Sequence, residues 1–129
     1  MRDRYLLDTC ALIWLVQKSD RISLSTRLAL DGASEIFISP ATAWEIAVKH
    51  ACGKLRLPLP PTEWFRIAVE TFGLNVLPLD YQTLVRSVEL PHHHSDPADR
   101  AIIASAIAAG LTIVTGDRRF AEYDVEVII

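Results

Sequence analysis

Short apolar runs alternate with longer stretches of helical spacing along this chain. The short runs are compact and flanked by polar breaks, as buried strands are, and they occupy residues 4–8, 35–39, 74–77, 111–115 and 125–129. Helical patterns fill the intervals, at residues 11–17, 25–30, 41–52, 62–72, 81–88 and 97–109. This alternation predicts an α/β fold with a central, mostly parallel sheet of four to five strands and helices on both faces.

Polar residues mark where several predicted helices begin and end. Asp96 precedes Pro97, which combines a capping carboxylate with a proline at the first helical position. Gly110 follows the last residue of the same helix, where a left-handed terminator is common. Residues 97–109 are therefore the best-defined helix, and Ser23 or Ser25 is expected to cap the helix at 25–30.

Length and composition predict one domain, residues 1–129. Half of the residues are hydrophobic and 22% are charged, which is too apolar for a disordered chain. The most apolar stretch is about half of the ~20 residues that a membrane-spanning helix needs. The N-terminus does not resemble a secretory signal, so Cys10 and Cys52 are expected to be reduced thiols in a cytoplasmic protein with no membrane association.

The net charge of −3 provides no basic field for nucleic acid. A passive DNA- or RNA-binding module usually has a basic face, so this class is disfavoured. An enzyme that acts on nucleic acid is still compatible with the charge, because carboxylates can hold metal ions that receive the phosphate.

Acidic residues lie at two strand ends and in two helices. Asp8 ends the first predicted strand, Asp117 follows the fourth, Glu45 lies in an almost wholly apolar helix, and Asp99 lies in the first turn of the best-defined helix. Ligands bind at the carboxyl ends of parallel strands. Taken singly, Asp8 is explained equally well as a helix cap or as a ligand, and Asp117 is better explained as a cap. Glu45 is either a metal ligand or the partner of Lys49, with the metal slightly favoured.

Taken together, these acids favour a metal site. Several carboxylates in one cleft repel each other, which raises the pKa of at least one unless a cation is bound. Mg²⁺ and Mn²⁺ prefer oxygen ligands, activate water and offset charge on a phosphodiester. Asp96 is a weaker candidate, since the start of the helix already explains it.

Four segments resemble the PIN-domain family, and within it the VapC-type toxins of bacterial type II toxin–antitoxin pairs. They are residues 6–9 (LLDT), 39–46 (SPATAWEI), 96–104 (DPADRAIIA) and 114–117 (VTGD), in the order typical of the family. The resemblance implies a single PIN-like domain that is a metal-dependent endoribonuclease, hydrolysing RNA phosphodiester bonds. Ala98 departs from the pattern, because relatives often carry a bulky aromatic residue there.

The resemblance also implies roles for individual residues. The implied catalytic residues are Asp8, Glu45, Asp99 and Asp117. Of these, Asp8, Asp99 and Asp117 would hold one or two Mg²⁺ or Mn²⁺ ions, and Glu45 would either join them or position water.

Accessory residues and partners follow from the same resemblance. Thr9, Asp96 and Thr115 would lie beside the metal. Family members commonly form homodimers and pair with a cognate antitoxin protein whose tail blocks the active site. An RNA substrate, an antitoxin and a homodimer are therefore the expected partners.

Other polar residues near the acids allow two interpretations. Three consecutive histidines, residues 92–94, cannot all face one ion, so a solvated loop is expected there, with His94 the one nearest a substrate. Arg100, Arg118 and Arg119 could bind RNA phosphates or form ordinary surface ion pairs. The three tryptophans, Trp14, Trp44 and Trp64, are expected mainly in the core.

Two other functional classes stay open. A Mg²⁺-binding receiver-like domain would need two adjacent acids after its first strand and a lysine after its last, and the sequence has neither. A non-catalytic α/β protein-interaction module would share the fold but would not bind Mn²⁺, so a metal titration separates it from the enzyme.

Overall fold

The computed structural model describes residues 3–129. Met1 and Arg2 lie outside the described residues, and the expectation that the chain lacks an export signal rests partly on them. The strands are β1 (Arg4–Leu7), β2 (Glu35–Ile38), β3 (Asn75–Val76), β4 (Thr112–Val114) and β5 (Val127–Ile128). The helices are α1 (Thr9–Val16), α2 (Leu24–Asp31), α3 (Pro40–Ala51), α4 (Pro61–Phe72), α5 (Tyr81–Glu89) and α6 (Pro97–Ala109), and a 3₁₀ turn covers Arg118–Glu122.

The described strands form one sheet in the order β3-β2-β1-β4-β5. Every pairing is parallel, and the central strand β1 places Leu6 opposite Phe37 of β2 and Ile113 of β4. The carboxyl ends of β1, β2 and β4 therefore meet at one edge of the sheet. The predicted α/β fold with a parallel sheet is confirmed.

Alternate residues of each central strand are buried on opposite faces of the sheet. Leu6, Phe37 and Ile113 pack with Ala101, Ile102, Ile103 and Ala106 of α6. Leu7, Ile38 and Val114 pack on the other face with residues of α1, α3 and α4, among them Leu12, Ile46 and Trp64. Helices thus cover both faces, which explains why the strands are apolar throughout rather than alternating with polar residues.

Side-chain caps fix the helices that begin at the carboxyl edge of the sheet. Asp8 accepts a hydrogen bond from the backbone of Ala11, and Asp96 accepts one from the backbone of Asp99. Helix α6 spans the predicted residues 97–109 and ends at Gly110, whose φ of 68° is left-handed. Of the two candidate serines, Ser23 caps α2.

The predicted strands are longer than the observed ones. The position of Asp8 and Ser39 after apolar runs predicts that they end strands, but both cap the following helix. The edge strands β3 and β5 contain two residues each.

The tryptophans do not all lie in the core. Trp64 is buried, as predicted, and Trp14 is half-buried. The prediction is wrong for Trp44, whose side chain is 59% exposed. Helix α3 buries the face that carries Thr42, Glu45 and Ile46, so Trp44 lies on the face directed away from the sheet.

Two smaller findings concern the cysteines and the membrane. Cys10 and Cys52 are both free and exposed. Among residues 3–129, no helix combines the length and the apolar character that crossing a bilayer requires.

Candidate functional site

A cleft of about 600 Å³ opens at the carboxyl ends of β1 and β4. All four acids predicted as one group line it, and Asp96 and His94 line it with them. Strand ends supply Asp8 and Asp117, and α3 and α6 supply Glu45 and Asp99. The expected convergence of distant carboxylates is therefore present in the fold, while their individual roles stay predictions.

Asp8 is the most buried of the acids, with 3% of its surface exposed. One carboxylate oxygen, Oδ1, accepts the capping hydrogen bond from Ala11, and Oδ2 accepts one from Thr115 Oγ1 at 2.5 Å. Burial nevertheless raises the pKa of Asp8 to about 6, because the two hydrogen bonds offset only part of the lost hydration. The cap explanation is correct, and it leaves a carboxylate that is costly to ionise.

Glu45 is held between a hydroxyl and an ammonium group. Thr9 Oγ1 donates to its Oε1 at 2.6 Å, and Lys49 Nζ lies 2.8 Å from its Oε2. The Lys49 pair foreseen from the i,i+4 spacing is present, and the hydrogen bond to Glu45 raises the pKa of Lys49. Glu45 is buried and Lys49 is half-buried, and both residues line the cleft.

Asp99 has the most perturbed carboxyl group of the cleft. Burial raises its pKa to about 8, and the charges of Asp96, Glu45, Asp8 and Asp117 contribute to the same shift. Without a cation, this carboxyl keeps its proton at neutral pH. A bound cation would remove the conflict.

Asp117 has the opposite environment. Its carboxylate caps the 3₁₀ turn by accepting from the backbone of Arg119, and it also accepts two hydrogen bonds from the Arg119 guanidinium, at 2.8 and 3.0 Å. The guanidinium hydrogen bonds lower the pKa of Asp117 to about 2. Thr115 links the two strand-end acids, because its Oγ1 donates to Asp8 and accepts from the backbone of Asp117.

The donor atoms of the cleft fit a hard divalent cation. Carboxylate oxygens of Glu45, Asp96 and Asp99 lie within 4.8 Å of one another, and so do ligand atoms of His94, Asp99 and Asp117. Asp99 belongs to both sets, and oxygen atoms predominate, as Mg²⁺ and Mn²⁺ prefer. Asp8 belongs to neither set.

The expectation of a solvated histidine loop is wrong for His94. His92 and His93 are exposed, but only 4% of the surface of His94 is exposed. Its Nε2 lies 2.9 Å from Asp117 Oδ2 and 3.0 Å from Asp99 Oδ2. The hydroxyl of Tyr123 accepts from the backbone N–H groups of His93 and His94 and donates to a neighbouring carbonyl, which fixes this loop against the core.

Both sequence interpretations of Arg100 are wrong. Its guanidinium is buried and donates to backbone carbonyls of the loop before α6, namely those of Val88, Leu90, Pro91 and His94. These bonds hold the loop in place and leave the group unavailable to an RNA phosphate. Arg118 is exposed at the cleft, so its proposed contact with substrate stays a prediction.

One contribution to the site has no clear signal in the sequence. Tyr123 follows the 3₁₀ turn and reaches residues about thirty positions earlier, a contact that no local pattern encodes. The ion-pair interpretation of Arg119 is confirmed, because its Nη2 lies 2.8 Å from Asp117 Oδ2.

The sequence profile of the PIN domain family matches residues 5–126. The chain belongs to the PIN domain family. This confirms the resemblance inferred from the four segments and replaces the receiver-like alternative. The chain is also 29% identical to ribonuclease VapC22 of Mycobacterium tuberculosis over 115 residues, which cover 88% of this chain and 87% of that protein.

Several solved structures share the fold of this chain. VapBC2 from Rickettsia felis, solved bound to a DNA fragment from its promoter, aligns with a TM-score of 0.71 and 17% identity over 97% of each chain. DNA-bound VapBC from Salmonella typhimurium aligns with a TM-score of 0.67 and 22% identity, over 99% of this chain and 98% of that one. At these sequence identities, the likeness shows a shared fold and nothing more.

Proposed function

We propose that this PIN domain, residues 1–129, is a metal-dependent endoribonuclease that serves as the toxin of a toxin–antitoxin pair in the cytoplasm. The observation that carries the proposal is the single cleft lined by Asp8, Glu45, Asp99 and Asp117. The similarity to a ribonuclease over 88% of the chain supports RNA as the substrate.

Asp99 and Asp117 are the proposed core of the cation site. Their ligand atoms lie within 4.8 Å of each other, and the proton that Asp99 keeps without a cation would be released on binding. A divalent cation held there supplies a Lewis acid that makes water a better nucleophile and offsets charge on the phosphodiester. We propose Mg²⁺ or Mn²⁺ because the donors are mainly oxygen atoms.

The remaining acids and hydroxyls prepare the site for in-line attack. Glu45 is fixed by Thr9 and Lys49, so its carboxylate orients the attacking water and accepts a proton from it. Thr115 holds Asp8 at the bottom of the cleft. Arg118, exposed at the rim, is the proposed contact for an RNA phosphate.

Cleavage of RNA with Mg²⁺ or Mn²⁺ tests the proposal, with Asp8→Asn as the decisive variant. Asparagine can still cap α1 through its amide oxygen, so the substitution removes the charge while retaining the fold. Cleavage is expected to disappear with a chelator and to fall by at least about tenfold in the variant. Asp20→Asn, an exposed substitution outside the cleft, is the control and is expected to match the native chain.

Two results would contradict the proposal. Equal cleavage by the native chain and Asp8→Asn would mean that the cleft is not the active site. Absence of both cleavage and Mn²⁺ binding would favour the non-catalytic interaction module.

We also propose that a cognate antitoxin covers the cleft. VapBC complexes have the same fold in their toxin-like chains, and a peptide with a basic side chain would complement the acids of the cleft. Co-expression with the product of a small neighbouring gene should yield a complex in which RNA cleavage is blocked. Cleavage by such a complex at the rate of the free chain would contradict the proposal.

A homodimer is proposed through an exposed apolar stripe on α5. Tyr81, Leu84, Val85 and Val88 recur at helical spacing and are 45–73% exposed, and Leu84 lines a groove with Trp44 of α3. Such a surface favours another protein surface over nucleic acid. Sedimentation should give twice 14.4 kDa for the native chain and a monomer for Val88→Glu. A native monomer, or a variant that stays dimeric, would contradict the assignment.

A further inference from the structure

The side chain of His94 is fixed from several directions within the cleft. Its ring packs edge-on against Phe120, with ring centroids 5.6 Å apart. Its backbone N–H donates to the hydroxyl of Tyr123, and its backbone carbonyl accepts from Arg100 at 2.9 Å. A ring held in this way has one orientation relative to the acids.

The hydrogen bond at Nδ1 determines which ring nitrogen carries the proton. The backbone N–H of Asp96 donates to His94 Nδ1 at 3.1 Å, so Nδ1 uses its lone pair as an acceptor. In a neutral imidazole the other nitrogen is then the donor. Nε2–H therefore donates to Asp117 Oδ2 at 2.9 Å. Asp99 Oδ2 lies 3.0 Å from the same nitrogen but outside the direction of this hydrogen bond.

We propose that His94 is a positioning residue, which holds Asp117 beside Asp99 by donating Nε2–H to Asp117, and that it is not itself a ligand of the cation. The proposal rests on the metal-dependent function given above. It concerns how the two carboxylates are arranged before a cation arrives.

Direct ligation by Nε2 would require a different arrangement. A metal ligand needs a free lone pair, so the proton would have to move from Nε2 to Nδ1. Nδ1 would then face the N–H of Asp96, another donor, and the hydrogen bond at the start of α6 would be lost. An unpaired donor in this partly buried position is unfavourable, and Asp117 would also lose the hydrogen bond from His94.

Two variants test the proposal, because their amide side chains differ only in length. In His94→Gln the amide nitrogen lies about where Nε2 does, whereas in His94→Asn it lies nearer Nδ1 and cannot reach Asp117. Titration calorimetry with Mn²⁺ should show binding about 10–100-fold weaker for His94→Asn, with His94→Gln close to the native chain. His92→Ala, an exposed substitution in the same loop, should bind Mn²⁺ as the native chain does.

Pulsed electron paramagnetic resonance of bound Mn²⁺ provides the second measurement. The native chain is expected to show no ¹⁴N coupling of the strength given by a coordinated imidazole. Such a coupling, absent from His94→Gln, would overturn the proposal, as would equal Mn²⁺ affinity of all four proteins.

A failure of the proposed metal-dependent function would give a different result in the Mn²⁺ titration. If the native chain bound no Mn²⁺, that function would be contradicted and the positioning role with it. Native-like Mn²⁺ binding by His94→Asn contradicts the positioning role alone.

Discussion

Replacing Asp99 with asparagine should stabilise the metal-free protein at pH 8. The pKa of Asp99 is raised to about 8 by burial and by neighbouring acids, whereas in the unfolded chain it is near its ordinary value of ~3.9. Between these values the folded state holds a proton that the unfolded state has lost. Stability therefore falls as pH rises from about 4 towards 8 and is constant above that.

The size of the effect follows from the linkage relation. One proton held only by the folded state costs about 1.4 kcal/mol for each pH unit. Between pH 6 and 8 the loss in the free energy of unfolding would approach about 3 kcal/mol for a fully buried carboxyl. Partial exposure of the carboxyl reduces this loss to about 2 kcal/mol. The pKa of Asp8 is raised to about 6 by burial. Most of the stability that the protein loses through Asp8 is therefore lost below about pH 6.

Urea denaturation in a chelating buffer at pH 6, 7 and 8 measures the effect. The native chain should lose about 2 kcal/mol across this interval, and Asp99→Asn should lose little. Asp20→Asn, the exposed control, should follow the native chain, and saturating Mn²⁺ should reduce the loss. A native stability that is constant or rises from pH 6 to 8, or a variant that keeps the native slope, would refute the reasoning.

Three further substitutions test other contacts. Arg119→Gln should raise the pKa of Asp117 towards its usual value, which NMR titration of the carboxyl group would show. The variant should also unfold in acid at a higher pH, because a lowered carboxyl pKa stabilises the folded state only until the pH falls through that pKa. In Gly116→Ala the new Cβ would lie 2.9 Å from Cζ3 of the Trp14 ring, which is too close. The substitution should lower the stability measured in a thermal melt by about 1–3 kcal/mol, and an unchanged melt would contradict this. Arg100→Ala should lower the free energy of unfolding measured in urea by about 3 kcal/mol or more, because three backbone carbonyls lose this donor and that of Pro91 keeps only the Tyr123 hydroxyl. A loss of RNA binding at native stability would instead restore the phosphate-ligand interpretation.

The sequence predicted the arrangement of the strands and of the acids that follow them. Apolar runs of strand length separated by helical patterns permit little besides a parallel sheet, and its carboxyl edge collects whatever follows each strand. Asp8 and Asp117 were placed by this rule. Glu45 was identified because its helix is apolar on most faces, and α6 was bounded by Asp96 and Gly110.

The surroundings of the acids depended on contacts between distant parts of the chain. His94 looked like part of a polar loop because histidine runs are usually solvated, and only the Tyr123 hydroxyl and the Arg100 guanidinium bring it inside. The interpretations of Arg100 are wrong because a charge beside acids suggests a surface pair, whereas its guanidinium donates to backbone carbonyls of the loop before α6. Trp44 was misjudged because an apolar helix does not reveal which of its faces meets the sheet.

The short edge strands have a consequence for handling the protein. With two residues each in β3 and β5, the borders of the sheet offer little unpaired backbone to a strand of another molecule. Long, flat borders promote aggregation, and very short ones prevent it. Concentrated samples of this chain should therefore associate through side chains on helical surfaces and resist the formation of cross-β fibrils.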